Sequence, residues 1–163
     1  MSRDLRRRPG IVAAAVLVWV PAVTLVVLYA RWPGVPARVP THWTSPANAD
    51  TFQSSALAFW PSLLPAVGCG LIAIAVLVFL GNDGSRRASA FGYGALAGVA
   101  TAISLLWPAE VLTAMNARAS GIENIGAPFL LLLLAIPWAG LAFMVSLLGS
   151  RADTPPNSDR DEL

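Results

Sequence analysis

The side chains best suited to chemistry are concentrated in one segment of the chain, residues 31–56. His42, the single histidine, lies eight residues before Asp50. An imidazole beside a carboxylate can support acid–base chemistry, metal binding or polar recognition. Pro40 restricts the backbone just before His42, and residues 45–48 (Ser-Pro-Ala-Asn) have the composition of a turn. Such a turn would bring Asp50 back toward the imidazole.

Two interpretations of this segment remain open from the residues alone. In the first, His42 and Asp50 bond to backbone groups and only hold the loop in shape. In the second, Pro40, His42, Trp43 and Asp50 form a site that recognises a partner or a ligand, with Trp43 anchoring the loop at the level of the lipid headgroups.

A catalytic interpretation needs further groups. A hydrolase triad requires a nucleophile held against the imidazole, and none of the nearby serines stands in a nucleophile-elbow pattern; they are Ser45, Ser54 and Ser55. A metal usually takes three or four ligands, so Glu110 and Glu123 would have to join His42 and Asp50. The chain has no second histidine and no HExxH pattern. We therefore predict no catalytic residue, no metal and no cofactor, and keep a metal-dependent hydrolase as an alternative.

The composition excludes a soluble domain and a disordered chain. Of the 163 residues, 56% are hydrophobic and only 12% are charged, whereas soluble domains carry about 25% charged residues. The net charge is only +2, and the arginines cluster beside apolar runs. That pattern sets membrane topology, so we expect a lipid bilayer as partner and no nucleic acid.

Four apolar stretches are long enough to cross a bilayer, which needs about 20 residues; they are residues 11–30, 57–80, 88–109 and 126–149. We predict an all-α integral membrane protein with four transmembrane helices in two hairpins. Residues 11–150 form the membrane domain, residues 1–10 a basic cytoplasmic N-terminus and residues 151–163 a disordered cytoplasmic tail.

The arginines predict the orientation. Eight lie in the two termini and in the turn at 81–87, and three lie in the segments 31–56 and 110–125. The positive-inside rule places both termini in the cytoplasm and the two longer segments outside. The first apolar run is longer than the core of a secretory signal, so we expect it to be retained as a span.

The spans themselves contain no Asp, Glu, Lys, Arg or His, which argues against ion or proton transport by this chain. Gly94 and Gly98 form a GxxxG pair that lets another helix approach closely. Packing inside the chain's own bundle is the first interpretation; a homo-oligomer, or docking as an accessory subunit of a transporter, is the alternative. Prolines within the spans leave backbone groups that neighbouring helices must satisfy; these are Pro21, Pro61, Pro65 and Pro137.

The segment 39–52 resembles a motif of a bacterial membrane family of unknown function. That family carries I-P-x-H-W/F-N-x-x-G-x-x-D-G-Y/W between its first two spans and includes the SdpI-like toxin immunity proteins. The matching positions are Pro40, His42, Trp43, Asp50 and Phe52, and the differing ones are Thr44, Ala47 and Thr51. The resemblance implies a multi-pass protein of a bacterial plasma membrane with its His-Trp loop outside the cytoplasm.

Together these features predict a non-enzymatic membrane protein whose outward loop recognises a protein or peptide, in immunity or in signalling. The alternatives are a small membrane enzyme at the outer interface and an accessory subunit of a transporter.

Overall fold

A computed structural model describes residues 9–45, 48–79, 86–120 and 126–149. The elements in chain order are α1 (Pro9–Arg31), β1 (Arg38–Ser45), β2 (Asn48–Ser54), α2 (Ser55–Phe79), α3 (Arg86–Ser104), α4 (Leu106–Ser120), α5 (Gly126–Phe129), a 3-10 helix (Leu130–Leu134) and α6 (Ala135–Gly149). The predicted basic N-terminus up to residue 8, the predicted tail at 151–163, and Glu123 lie outside the described residues.

Within the described residues, four helical stretches are long and apolar enough to cross a membrane, as the sequence predicted. They are Pro9–Arg31, Ser55–Phe79, Arg87–Ala119 and Leu130–Gly149. A chain with four such helices is an integral membrane protein. The prediction of a four-span helical architecture is therefore confirmed, and a small β-hairpin is added to it.

The four spans pack around a core made mostly of small side chains. Helix α1 contacts α2, α3 and α6, and α3 also contacts α2 and α6. The buried core cluster contains Ala14, Ala15, Ala66, Ala73, Ala97, Ala100 and Ala142, together with Val18 and Tyr93. Small residues allow the backbones to approach closely, and close packing drives helix association in lipid.

Gly94 and Gly98 lie at such a close approach, between α3 and α6. A Cβ atom at Gly98 would come within 2.9 Å of the Ala139 Cβ, and one at Gly94 within 3.1 Å of the Phe143 Cβ. The glycine face of the third span is therefore covered by the last helix of the same chain.

A proline in α1 shows how the bundle satisfies a freed backbone group. Pro21 has no N–H to donate to the carbonyl of Leu17, four residues earlier. The indole Nε1 of Trp138 on α6 donates to that oxygen at 3.2 Å. A side chain from the last span thus replaces the missing hydrogen bond of the first.

The third span is longer than the sequence predicted. Residues 110–125 were expected to form a loop, but the helix continues through Ser120, with one turn residue at Leu105. The interruption has a local cause, because Pro108 cannot donate to the Ser104 carbonyl and its ring crowds that oxygen. The run Arg87–Ala119 has 33 residues, about 50 Å of helix against a hydrocarbon core of about 30 Å. Part of this run therefore extends beyond the hydrocarbon core.

The segment predicted as a loop between the first two spans contains the hairpin. Strands β1 and β2 pair antiparallel, and β-branched and aromatic residues favour these conformations; they are Val39, Thr41, Trp43, Thr44, Thr51 and Phe52. Pro40 is tolerated in β1 because both strands of a two-stranded sheet are edges. The hairpin rests on α4 and on the start of α2.

Candidate functional site

The hairpin brings His42 and Asp50 together. The imidazole Nδ1 lies 2.6 Å from the Asp50 Oδ1. The chain reverses between Ser45 and Asn48, and Trp43 stands opposite Ala49. This is the approach that the turn composition of residues 45–48 predicted.

An irregular strand register places the two side chains side by side. Pro40 stands opposite Phe52, and His42 opposite Thr51, so β1 advances two residues where β2 advances one. Such a bulge bends the strand and redirects its side chains. As a result Asp50, the next residue along β2, reaches the imidazole diagonally.

The electrostatics of the pair favour an ionised carboxylate. The hydrogen bond from His42 holds the pKa of Asp50 below its ordinary value of 3.8, with a smaller contribution from Thr51, whose hydroxyl donates to the same Oδ1 at 3.3 Å. An ionised carboxylate only accepts hydrogen bonds, so the proton of the pair lies on Nδ1. In the neutral tautomer that carries this proton, Nε2 keeps a lone pair.

Both side chains of the pair are accessible. The His42 side chain is 67% exposed and that of Asp50 37% exposed, and Nε2 has no hydrogen-bond partner among the described residues. Exposed Thr51 and the partly exposed ring of Phe52 adjoin the pair on β2. The outer surface of the hairpin therefore offers an oriented imidazole, a carboxylate and an aromatic ring.

The other predicted site residues differ in their access to this surface. Pro40 is fully buried, like its neighbour Val39, so it can position the strand but cannot contact a partner. Trp43 is partly buried. Of the four predicted site residues, His42 and Asp50 are in direct contact, and Pro40 lies beneath them.

Trp107 is a residue next to the hairpin that the sequence did not single out. It is completely buried in a cluster with Leu25, Val39, Phe59 and Val111. Its ring centroid lies 5.7 Å from that of Phe59. The sequence did contain a signal for this burial. Trp107 and Val111 are four residues apart, which is the spacing of one helix face. This spacing continues past residue 109, where the third span was predicted to end.

Polar contacts tie the hairpin to the start of α2. The Trp107 Nε1 donates to the Ser55 carbonyl at 2.9 Å, and the Ser55 N–H donates to the Ala37 carbonyl at 3.0 Å. The Ser54 hydroxyl accepts from the Leu57 N–H at 3.2 Å, which is the geometry of a helix N-cap. These hydrogen bonds therefore fix the position of the hairpin on the helix bundle.

The described residues do not assemble a nucleophile or a metal cluster around the pair. Ser54 is engaged in the cap, and the Ser55 hydroxyl is buried without a partner. Glu110 lies on α4 within the extended helix. In the four described ranges, no three His, Cys, Asp or Glu side chains come close enough to hold a metal ion.

Comparison of the chain with protein-family models, with curated proteins and with solved structures finds no match. The resemblance of residues 39–52 to a bacterial membrane family therefore stays a prediction.

Proposed function

We propose that this protein is a non-enzymatic recognition protein of the membrane, and that its hairpin binds a protein or peptide partner. The observation that carries this proposal is the exposed His42–Asp50 pair, with Nδ1 and Oδ1 2.6 Å apart. Asp50 fixes the tautomer and the orientation of the imidazole, which leaves Nε2 to accept a hydrogen bond from a partner. An oriented side chain loses less conformational entropy on binding than a free one.

The support beneath the pair favours recognition over a merely structural role. The hairpin already has a buried base at Val39 and Pro40 and is tied to α2 through Ser55. The exposed pair contacts neither of these anchors in any described hydrogen bond. Binding residues are often exposed side chains on a connecting segment that a rigid scaffold holds in place.

The proposal includes a location for the hairpin. The arginine distribution and the resemblance of residues 39–52 favour a bacterial plasma membrane, with both termini in the cytoplasm and the hairpin outside. A recognition surface in that position suits immunity against an external peptide or the sensing of an external signal. The partner would present a hydrogen-bond donor to Nε2 beside an apolar group that meets Phe52.

An enzyme remains the second candidate, because a carboxylate-oriented histidine is also one half of an acid–base pair. An enzyme of this kind would also need a nucleophile or a metal ion near Nε2. Metal analysis of the purified protein tests the metal version: stoichiometric metal that is lost in a His42→Ala variant would favour this candidate over recognition.

Co-purification from native membranes tests the recognition proposal. The variant His42→Ala/Trp43→Ala is compared with Gln53→Ala, a matched change at an exposed position on the same hairpin. We expect a discrete partner that is retained by the wild type and by Gln53→Ala and is lost in the double variant. Identical partners in all three proteins would contradict a recognition role for the pair.

A further inference from the structure

Glu110 on α4 carries a carboxyl group that the protein partly encloses without giving it a partner. The residue is partly exposed, but its Oε2 atom is buried and has no hydrogen-bond partner among the described residues. A buried oxygen without a donor loses the hydrogen bonds that water would give it. Titratable groups in such surroundings are frequent at functional positions.

Glu110 lies beyond the hydrocarbon core, on the side of the hairpin. The run Arg87–Ala119 begins with an arginine, which marks the opposite boundary of the membrane. Glu110 follows 23 residues later, about 35 Å along the helix, whereas the hydrocarbon core is about 30 Å thick. The turn before it is level with the start of α2, since the Trp107 Nε1 donates to the Ser55 carbonyl.

The carboxyl is at the edge of the packed layer between α4 and the hairpin. Trp107 and Val111 of α4 share a buried cluster with Val39 of β1, and Ala114 packs against that cluster. Glu110 is three residues after Trp107 and four before Ala114, which makes it their neighbour on the surface of the helix. A change in the charge of Glu110 therefore acts directly on the contact between α4 and β1.

No charged group compensates this carboxyl in the part of the chain that the structure describes. The first turns of α2 and the short helix α5 contain no titratable side chain, and those of α3 lie in its first turns, at the opposite end. The remaining groups on the surrounding elements are Arg38 and His42 on β1, Tyr29 on α1 and Arg118 on α4 itself. None of them forms a described ion pair with Glu110, and His42 is engaged with Asp50.

Burial without compensation favours the neutral form of the carboxyl. It raises the pKa of Glu110 from its ordinary value of 4.5 to about 7, because the charged form loses its hydration. The packed arrangement thus binds the proton more tightly than a water-exposed carboxyl does. Its advantage is fully present below the ordinary value and is lost as the pH rises from 4.5 to about 7.

We propose that Glu110 is a pH-sensitive contact that controls how firmly α4 holds the hairpin. In its neutral form the carboxyl packs at the edge of the cluster that contains Trp107 and Val39. When it releases its proton to water, the carboxylate turns toward solvent and the contact between α4 and β1 loosens. With the hairpin outside the cytoplasm, the switch responds to the external pH. It does not depend on the recognition role of His42.

An acid–base titration of the detergent-purified protein tests the first step. The glutamate side chains are labelled with carbon-13 at the carboxyl, and the Glu110 signal is identified as the one that is missing in Glu110→Gln. We expect its chemical shift to change with a midpoint near pH 7. A midpoint near 4.5, the ordinary value of a glutamate, would overturn the proposal.

Hydrogen exchange of the backbone amides of α4 tests the second step. In the wild type we expect the protection factors to fall about tenfold or more between about pH 5 and pH 8, the loss that a raised carboxyl pKa produces. Glu110→Gln keeps the shape of the side chain without its charge, and its protection should stay high at both values. His42→Ala, which removes the imidazole of the hairpin, should keep the fall in α4. A fall that persists in Glu110→Gln, or that disappears in His42→Ala, would overturn the proposal.

Discussion

The Nδ1 of His42 lies 2.6 Å from the Oδ1 of Asp50 across the bulged hairpin that joins the first two membrane spans. Val39 and Pro40, which precede His42 in the same strand, are completely buried. The pair is exposed, and its imidazole has one nitrogen engaged and the other without a described partner. These features are the basis of the proposed recognition role of the pair.

Replacing His42 should raise the pKa of Asp50. The hydrogen bond from the imidazole is the largest cause of the lowered value, so His42→Ala should return the pKa toward 3.8. Carboxyl chemical shifts followed through an acid titration by NMR measure this change, with Gln53→Ala as the control. An Asp50 pKa that is the same in both variants would show that the pair does not form in solution.

The same interaction predicts how the order of the hairpin depends on pH. Because the folded pKa of Asp50 is below its ordinary value of 3.8, its contribution to stability is present above that value. The contribution is lost as the pH falls through the lower folded pKa. The protection factors of the amides of residues 38–45 and 48–54, which correct for the intrinsic pH dependence of exchange, should therefore fall at acid pH in the wild type. In Asp50→Asn this acid-dependent change should be smaller.

Trp107 should be among the most sensitive aromatic positions in the protein. Trp107→Phe leaves the Ser55 carbonyl without its indole donor and should lower the free energy of unfolding by about 1–3 kcal/mol. Trp60→Phe is the matched change, since Trp60 is 51% exposed and should shift stability by less than about 0.5 kcal/mol. Thermal unfolding in detergent compares the two, and similar losses would argue against the buried position of Trp107.

Four glycines provide a matched test of helix packing. Gly98→Ala would bring its Cβ within 2.9 Å of the Ala139 Cβ, and Gly94→Ala is also crowded, whereas Gly92 and Gly140 have no atom within 4 Å of an added Cβ. We expect the first two changes to destabilise the bundle by about 1–3 kcal/mol. The last two should be neutral or stabilising by up to about 1 kcal/mol. If denaturant unfolding ranks all four alike, α3 and α6 do not pack as described.

The hydrogen bond between Trp138 and the Leu17 carbonyl predicts a coupled pair of substitutions. Trp138→Phe alone removes the donor and should cost about 0.6 kcal/mol, the average for hydrogen bonds between membrane helices, and no more than about 1.7 kcal/mol. Pro21→Ala restores a helical N–H for the same carbonyl, so Trp138→Phe should cost less in that background. A double-mutant cycle of unfolding free energies measures the coupling, and a coupling energy of zero would refute the replacement.

The features that the sequence predicted correctly are those that depend on local patterns. Apolar runs of about 20 residues identified the four spans, because bilayer thickness sets the length of a spanning helix. The approach of His42 and Asp50 followed from a turn composition between two positions eight residues apart.

The features that were missed depend on contacts between distant segments. The extension of the third helix to Ser120 was missed because its later turns are less apolar than a span. The burial of Trp107 depends on Val39, Phe59 and Leu25, which lie in three other segments. The hairpin register depends on a bulge that no short sequence pattern specifies.

Photo-crosslinking from Ser45, the exposed last residue of β1, tests the central claim most directly. A photoreactive amino acid is placed there in three versions of the protein in intact cells: the wild type, His42→Ala and Gln53→Ala. We predict a discrete crosslinked protein or peptide in the wild type and in Gln53→Ala, reduced at least tenfold in His42→Ala. The same crosslinked products in all three would contradict a recognition role for the pair and leave it as a support for the hairpin.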